Sequence, residues 1–323
     1  MPDLPALIDR PFQVFPLFRE RVWGRQSLAP LFAVKAGSQP IGEVWLTFQD
    51  NETSLGLTLG SLLSQRPGIL GTAAHPDYPG QCPLLVKFLF TTGRLSVQVH
   101  PDDAYARQRH GTLGKTEAWY VVDAQPPGEV GAGFREEVTA ERLRESALSG
   151  EIEQLLDWRK VEAGDTIFVP AGLVHAIGAG LAICEVQENS DITYRLYDYG
   201  RPRELHLEDG MRVAKLGSHP SVMKPAPITW WRDQLVECKY FRIERLRVPG
   251  RLRFTGRNPH YLLLICLEGQ GRIDGRPFAA GQAWMTPANS AEFSVDGADS
   301  RWIVTYTADT RFDGVEVDEA ARS

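Results

Sequence analysis

The chain reads as a mainly β protein, built as two similar β-barrels in tandem with one small helical insertion. Three observations predict this. Most apolar residues fall in short runs that alternate with polar residues or are β-branched and aromatic, which is the signature of strands. The 22 prolines and 30 glycines are scattered over all 323 residues, as many short strands and turns require. The stretch Gly164-Asp-Thr-Ile-Phe-Val-Pro170-Ala-Gly172-Leu-Val-His175 also has a counterpart 117 positions on, where Gly281, Pro287, Asn289 and Glu292 take the places of Gly164, Pro170, Gly172 and His175. Such a repeat implies two copies of one unit. The expected division is a first barrel over 1–217, with an N-terminal arm and the insertion at about 136–160. A Pro-rich linker over 218–233 and a degenerate second barrel with its tail over 234–323 follow.

Composition excludes several functions. A net charge of −6 gives no basic surface for nucleic acid, and no apolar run reaches the roughly 20 residues of a membrane span. The N-terminus lacks the charged-then-apolar pattern of a secretory signal, so the expected location is the cytoplasm. Cys82, Cys184, Cys238 and Cys266 lie far apart without metal-type spacing and read as free thiols.

Taken in order, residues 41–48 read as a strand and 58–64 as a short helix with Leu59, Leu62 and Leu63 inward. Residues 83–90 form an apolar strand interrupted by Lys87. A lysine there needs a carboxylate, an anionic ligand or a sheet edge. In 95–103 the period of two puts Gln98 and His100 on one face. A loop containing Tyr105 and Gly111 leads to strand 114–123, where Lys115, Glu117 and Trp119 share a face. Thr139 is placed to cap a helix that ends at Gly150, with a second helix over 151–158. In the Gly164–His175 stretch, Thr166 to Val169 is a strand, Pro170 stops it, and Gly172 permits a left-handed turn before His175. From 185 to 195 the odd positions Glu185, Gln187, Asn189, Asp191, Thr193 and Arg195 are polar, so an unbroken strand would line a cavity with them. Residues 204–217 read as a helix, and the acidic tail after Thr310 as mobile.

Gln98, His100, Glu117 and His175 together supply two imidazoles, one carboxylate and one amide oxygen. That donor set suits Zn2+, and manganese, iron or cobalt would also accept it. Lys87, Lys115 and Arg195 fall on cavity-facing strand positions of an otherwise acidic chain, an arrangement suited to an anionic substrate.

The spacing G-x5-P-x-G-x2-H resembles a cupin motif. The segments LLVKFLF (84–90), LSVQVHPDD (95–103), GKTEAWYVVD (114–123), VPAGLVHAIG (169–178) and VQENSDITYRLYDYGRPRELH (186–206) more narrowly resemble the type I phosphomannose isomerases in their short bacterial form. The resemblance implies a bicupin fold with one Zn2+ per chain on Gln98, His100, Glu117 and His175. It also implies active-site roles for Lys87, Lys115, Asp191 and Arg195, and reversible conversion of mannose 6-phosphate to fructose 6-phosphate. The expected partner is therefore a small sugar phosphate, with no nucleic acid or membrane, bound by a monomer or homodimer. Aldose–ketose isomerisation through an enediol needs a base and a stabiliser of the developing oxyanion. Asp191 or a lysine of depressed pKa could be the base, and Lys115 or the metal the stabiliser. A non-catalytic metal-binding sugar-phosphate sensor and another metal-dependent cupin enzyme are the competing readings.

Overall fold

The computed structural model describes residues 8–219, 222–297 and 299–318. Four antiparallel sheets stack as layers. The first seven-stranded sheet runs, in spatial order, Val222–Met223, Thr166–Val169, Glu117–Ala124, Leu181–Glu188, Leu84–Phe90, Ile41–Trp45 and Leu17–Arg25. It faces a five-stranded sheet ordered Tyr194–Tyr197, Val97–Val99, His175–Ile177, Glu129–Phe134 and Leu156–Lys160. The second seven-stranded sheet runs Phe12–Val14, Ala283–Thr286, Leu262–Glu268, Ser300–Tyr306, Arg242–Val248, Arg232–Glu237 and Ala226–Thr229. Its five-stranded partner runs Arg276–Ala279, Gln270–Ile273, Phe293–Asp296, Arg251–Phe254 and Val315–Val317.

The two units match strand for strand in both sheets. The repeat seen in the sequence is also a repeat of backbone conformation. Thr166–Val169 corresponds to Ala283–Thr286, and the flanking turns put Gly164 (φ 100°) and Gly281 (φ 84°), then Gly172 (φ 87°) and Asn289 (φ 53°), in left-handed conformations. Glycine adopts this region freely, and asparagine more readily than most other residues. The expected closed barrels are not formed, because neither ladder returns to its first strand. Each unit is an open pair of sheets.

Burial explains the stacking. Inside the first unit Trp119, Val121, Ile167 and Ile183 meet Val130, Ala132 and Ile177 of the facing sheet. The other faces of the two seven-stranded sheets share one apolar core, in which Val44, Val86 and Phe88 join Ile243, Leu263, Met285 and Ile303. Phe12–Val14, at the N-terminal end, pairs with Ala283–Thr286 and ties the start of the chain to the second unit.

Helices cover the remaining apolar surface: Leu59–Gln65 buries its leucines at the shared core, and Ala140–Ser149 packs on the outer face of the first five-stranded sheet. Leu59–Gln65 is capped by Thr58, and Ala140–Ser149 is capped by Thr139 and stopped by left-handed Gly150, as the sequence suggests. Four expectations are corrected. The loop around Tyr105 is a helix, Asp103–His110, which Asp102 caps and Gly111 ends; only Ala106 of it is buried, so it lacks the apolar stripe that marks most helices. The second inserted helix is one turn, Ile152–Leu155, because Leu156–Lys160 instead pairs with Glu129–Phe134. The helix expected over 204–217 spans only Leu207–Val213. In the tail, Val315–Val317 is a strand on Arg251–Phe254, while 319–323 lie outside the described residues.

All four cysteines are free thiols. No helix among the described residues is long and apolar enough to cross a membrane.

The shared core makes a stability prediction. Leu263→Ala removes a fully buried side chain between the two seven-stranded sheets, at a cost of about 2–5 kcal/mol. Denaturation followed by tryptophan fluorescence and by far-UV circular dichroism should shift as one coincident transition. Two separate transitions would show that the units do not unfold together.

Candidate active site

Two rows of side chains face each other between the sheets of the first unit. On the five-stranded sheet, Gln98 lies directly opposite both His175 and Arg195 in the ladders, so the three form one cross-strand row. On the seven-stranded sheet, Trp45, Lys87, Glu185 and Trp119 form another. Glu117 is two residues from Trp119 and so lies on the same face. Pro101 and Gly114 break the regular strands, and His100 and Lys115 sit beside these breaks.

The histidines and Glu117 converge. Their ligand atoms lie within 4.8 Å of one another and all three residues are buried. His175 Nε2 is 3.4 Å from Glu117 Oε1, and His100 Nε2 is 3.5 Å from Glu117 Oε2. Each imidazole donates its Nδ1–H to a backbone carbonyl, His100 to Ile192 and His175 to Leu173, both at 2.8 Å. That fixes the tautomer, so both Nε2 lone pairs point at the same volume. Burial holds the His100 pKa well below its usual value and lowers that of His175 to about 4, so both rings are neutral at pH 7, as metal ligands must be.

Trp119 Nε1–H donates to Glu117 Oε1 at 3.1 Å, whereas Glu117 Oε2 is buried and faces the Lys115 ammonium at 2.9 Å. Gln98 Nε2 lies 3.3 Å from His175 Nε2. Two neutral imidazoles, a buried carboxylate and an adjacent amide are a donor set that fits a divalent cation. The segment carrying Glu117 is held from behind, where the Thr116 amide donates to buried Glu188 at 2.7 Å.

The cleft beside this cluster has a volume of about 490 Å3. Of the site candidates, Lys87, Gln98, Lys115, Asp191 and Arg195 line it, whereas His100, Glu117 and His175 lie behind this lining, against Lys115 and Gln98. Lys115 Nζ lies 2.9 Å from Glu117 Oε2 and 3.1 Å from His100 Nε2. Lys87 is no edge lysine. Its strand lies between two others, and its ammonium pairs with Glu185 at 2.9 Å. Burial alone would depress the Lys87 pKa, but Glu185, Glu43 and Asp191 outweigh it and raise the value, so Lys87 stays a cation. The Glu185 carboxyl is raised, first by burial and then by Glu117, against the opposing charge of Lys87.

The polar alternation from 185 to 195 is only partly a cavity lining. Gln187 Nε2 donates to the carbonyls of Glu188 and Ser190 (3.1 and 2.5 Å), and Asn189 donates to the Cys82 carbonyl. Both side chains therefore hold the chain reversal, and the cleft receives Glu185, Asp191, Thr193 and Arg195.

Glu185 fell within the polar alternation read from the sequence but was given no role in the site there. Sequence reasoning missed two further cleft residues. Arg203 reaches the cleft while making two 2.6 Å bonds to buried Asp198. Glu43 accepts from Trp45 Nε1 at 2.7 Å and from Arg21 at 2.9 Å, and it had only the Glu-x-Trp pattern to mark it.

The second unit has no such cluster among its described residues. Glu292, the counterpart of His175, is exposed. The space between its sheets is filled by Phe254, Phe293, Trp284, Trp302 and Phe278, with Phe254 and Phe293 stacked at 4.5 Å.

The chain resembles known proteins over most of its length. Residues 12–132 match the model of the phosphomannose isomerase type I catalytic domain. The chain is 36% identical over 304 residues to a mannose-6-phosphate isomerase of Bacillus subtilis, an alignment covering 87% of this chain and 94% of that protein. It is 36% identical over 274 residues to the mannose-6-phosphate isomerase of Streptococcus mutans, covering 79% and 84%. The crystal structure of a mannose 6-phosphate isomerase from Bacillus subtilis superposes with a TM-score of 0.83 at 28% identity, covering 92% of this chain and 99% of that one.

The buried ion pair gives a test. Lys87→Met leaves Glu185 uncompensated, which should destabilise the fold by about 3–5 kcal/mol near pH 8. In that variant the folded pKa of Glu185 rises further above its unfolded value. The deficit should therefore shrink toward pH 4, where the carboxyl is protonated in both states, and grow as pH rises through the folded pKa. Urea denaturation at pH 5 and pH 8 measures it. An equal deficit at both would mean that Glu185 is not the group left exposed to the penalty.

Proposed function

Because the chain belongs to the type I phosphomannose isomerase family, we propose that this isomerase interconverts mannose 6-phosphate and fructose 6-phosphate, moving a proton between C1 and C2 through an enediol. The observation that carries this reading is the buried His100–Glu117–His175 cluster behind a cleft whose walls carry Lys87, Lys115, Arg195 and Arg203. A sugar phosphate is a dianion at neutral pH, and the cations on the cleft walls suit such a ligand.

His100, Glu117 and His175 would hold one Zn2+, with Gln98 as fourth donor once its amide turns its oxygen inward. When bound, the ion supplies Lewis-acid polarisation of a substrate oxygen. Arg195 and Arg203 suit the phosphate, since guanidinium groups pair with it in a bidentate manner. Lys115, beside the cluster, is placed to donate to an oxygen that gains charge as the enediol forms.

Lys87 is held cationic by its carboxylate neighbours, so it does not serve as a depressed-pKa base; it orients Glu185 and adds positive charge. Glu185 joins Asp191 as a base candidate. Burial raises its pKa above the usual carboxylate value, and it lies deeper in the cleft than exposed Asp191. We read the two sheet pairs as cupin-type units over 1–217 and 234–323, joined through 218–233, in a cytoplasmic protein.

A coupled assay of fructose 6-phosphate formation from mannose 6-phosphate tests the reading. Activity should disappear on chelation and return with zinc. A folded, zinc-loaded sample without activity would exclude this substrate. Arg195→Ala should lower kcat/KM by about 10²-fold or more, and unchanged turnover would remove Arg195 from the site. Glu185→Gln should abolish proton transfer while leaving metal content unchanged, measured by solvent-tritium exchange and elemental analysis. If exchange survives in Glu185→Gln but not in Asp191→Asn, the base is Asp191.

A further inference from the structure

A second cleft, of about 520 Å3, opens on the far side of the turn that precedes His175. Its walls are the helices Asp103–His110 and Leu207–Val213, the turn 170–172, and Tyr240 from the second unit. We propose that it binds a small phosphate monoester at Arg212 and Lys215, and that occupancy is felt at the histidine pair through the backbone of residues 172–173.

The chemistry of the walls selects an anion. Lys215 is exposed, and its ammonium has no ion-pair or hydrogen-bond partner among the described residues. Arg212 lines the same cleft, with Tyr105, Asp209 and Glu208 as its neighbours, and Glu208 is already paired with Arg144 at 2.8 Å. Lys239 lies behind the lining, 4.9 Å from the centre of the Tyr240 ring, whose hydroxyl faces Glu188, Asp103 and Asp102. The carboxylate on the wall, Asp102, accepts the Tyr105 amide at 2.9 Å as a helix cap and so is partly committed. Gln108, Thr116 and Tyr240 supply further polar groups around a space as large as the active cleft, enough for a molecule the size of a hexose phosphate. Two adjacent cations suit a dianion better than a monoanion.

The coupling is geometric. The Lys215 amide donates to the Gly172 carbonyl at 2.8 Å, and Leu173 and Lys215 form a parallel bridge. The lysine stem lies against the turn, since a Cβ added at Gly172 would fall 3.1 Å from both its Cγ and Cε. The same turn touches both histidines, the His175 ring and the His100 backbone. The Gly172 amide donates to the His100 carbonyl at 2.8 Å, and the Leu173 carbonyl accepts from His175 Nδ1–H. A ligand that fixes Lys215 therefore fixes the peptide unit that aims the His175 ring and the one that holds the His100 backbone. Tyr240 would bring the second unit into contact with the same ligand.

Calorimetric titration of the zinc-loaded full chain with fructose 6-phosphate tests this. Two binding events per chain are expected. Lys215→Gln and Arg212→Gln, both exposed substitutions that leave the packing intact, should each weaken only one event by about ten-fold, the loss of one charge-assisted hydrogen bond. Inorganic phosphate should compete at that event. Hydrogen exchange over residues 170–175 should slow on binding in the wild type and not in Lys215→Gln. A single event sensitive to these variants would support this site and count against the catalytic reading of the first cleft. One event insensitive to both variants, or no binding at all, would overturn the proposal.

Discussion

The antiparallel register of the first unit is the constraint on which its site depends. Gln98 must stand opposite both His175 and Arg195, and Lys87 opposite Glu185, for the two polar rows to face each other. A slip of one residue in any of these strands would turn its polar side chain from the cleft into the apolar core on the sheet's other face. Such a slip would also bury Lys87 without Glu185, and an unpaired charge in that setting costs several kcal/mol. The pairing of buried charges thus helps to select the register that builds the site.

The second unit shows what the same frame does without that chemistry. Its strands follow the same order, yet its interior is packed with aromatic rings. Its buried charges are spent on structure. Arg232 pairs with Glu244 and donates to the Phe312 carbonyl at 2.8 Å, while Tyr306 donates to Glu244 at 2.7 Å. This network anchors the chain as it enters the last strand. Through the common core, the aromatic unit gives the seven-stranded sheet of the first unit a rigid apolar backing. A sheet with one face on that backing can present the other to a polar cleft.

Carbonyls orient both histidines, and those carbonyls belong to irregular backbone. Ile192 lies between strands and Leu173 in the turn after Pro170. The tight turn is there because Gly172 adopts a positive φ and packs so closely on Val213 and Lys215 that a side chain would collide. The precision of the cluster comes from this loop backbone, held at both ends by strands.

Much of this was legible in the residues. Alternation and turn chemistry placed the strands Leu84–Phe90, Glu117–Ala124 and Thr166–Val169, because a period of two and a Pro-x-Gly stop are local properties of the chain. The spacing of Gln98, His100, Glu117 and His175 marked the ligand candidates for the same reason. The repeat of Gly164–His175 in Gly281–Glu292 announced the duplication. The helix Asp103–His110 was readable from its Asp102 cap and Gly111 stop, but it buries too little apolar surface to stand out. What the sequence could not decide was set by partners distant in the chain. Leu156–Lys160 became a strand because Glu129–Phe134 offered an open edge. Gln187 left the cleft because the reversal at 188–190 needed its amide. Arg203 entered the cleft on the buried carboxylate of Asp198. The residue types able to do the chemistry are written locally, whereas which of them meet, and in which charge state, depends on pairings and burial that exist only once the sheets have stacked.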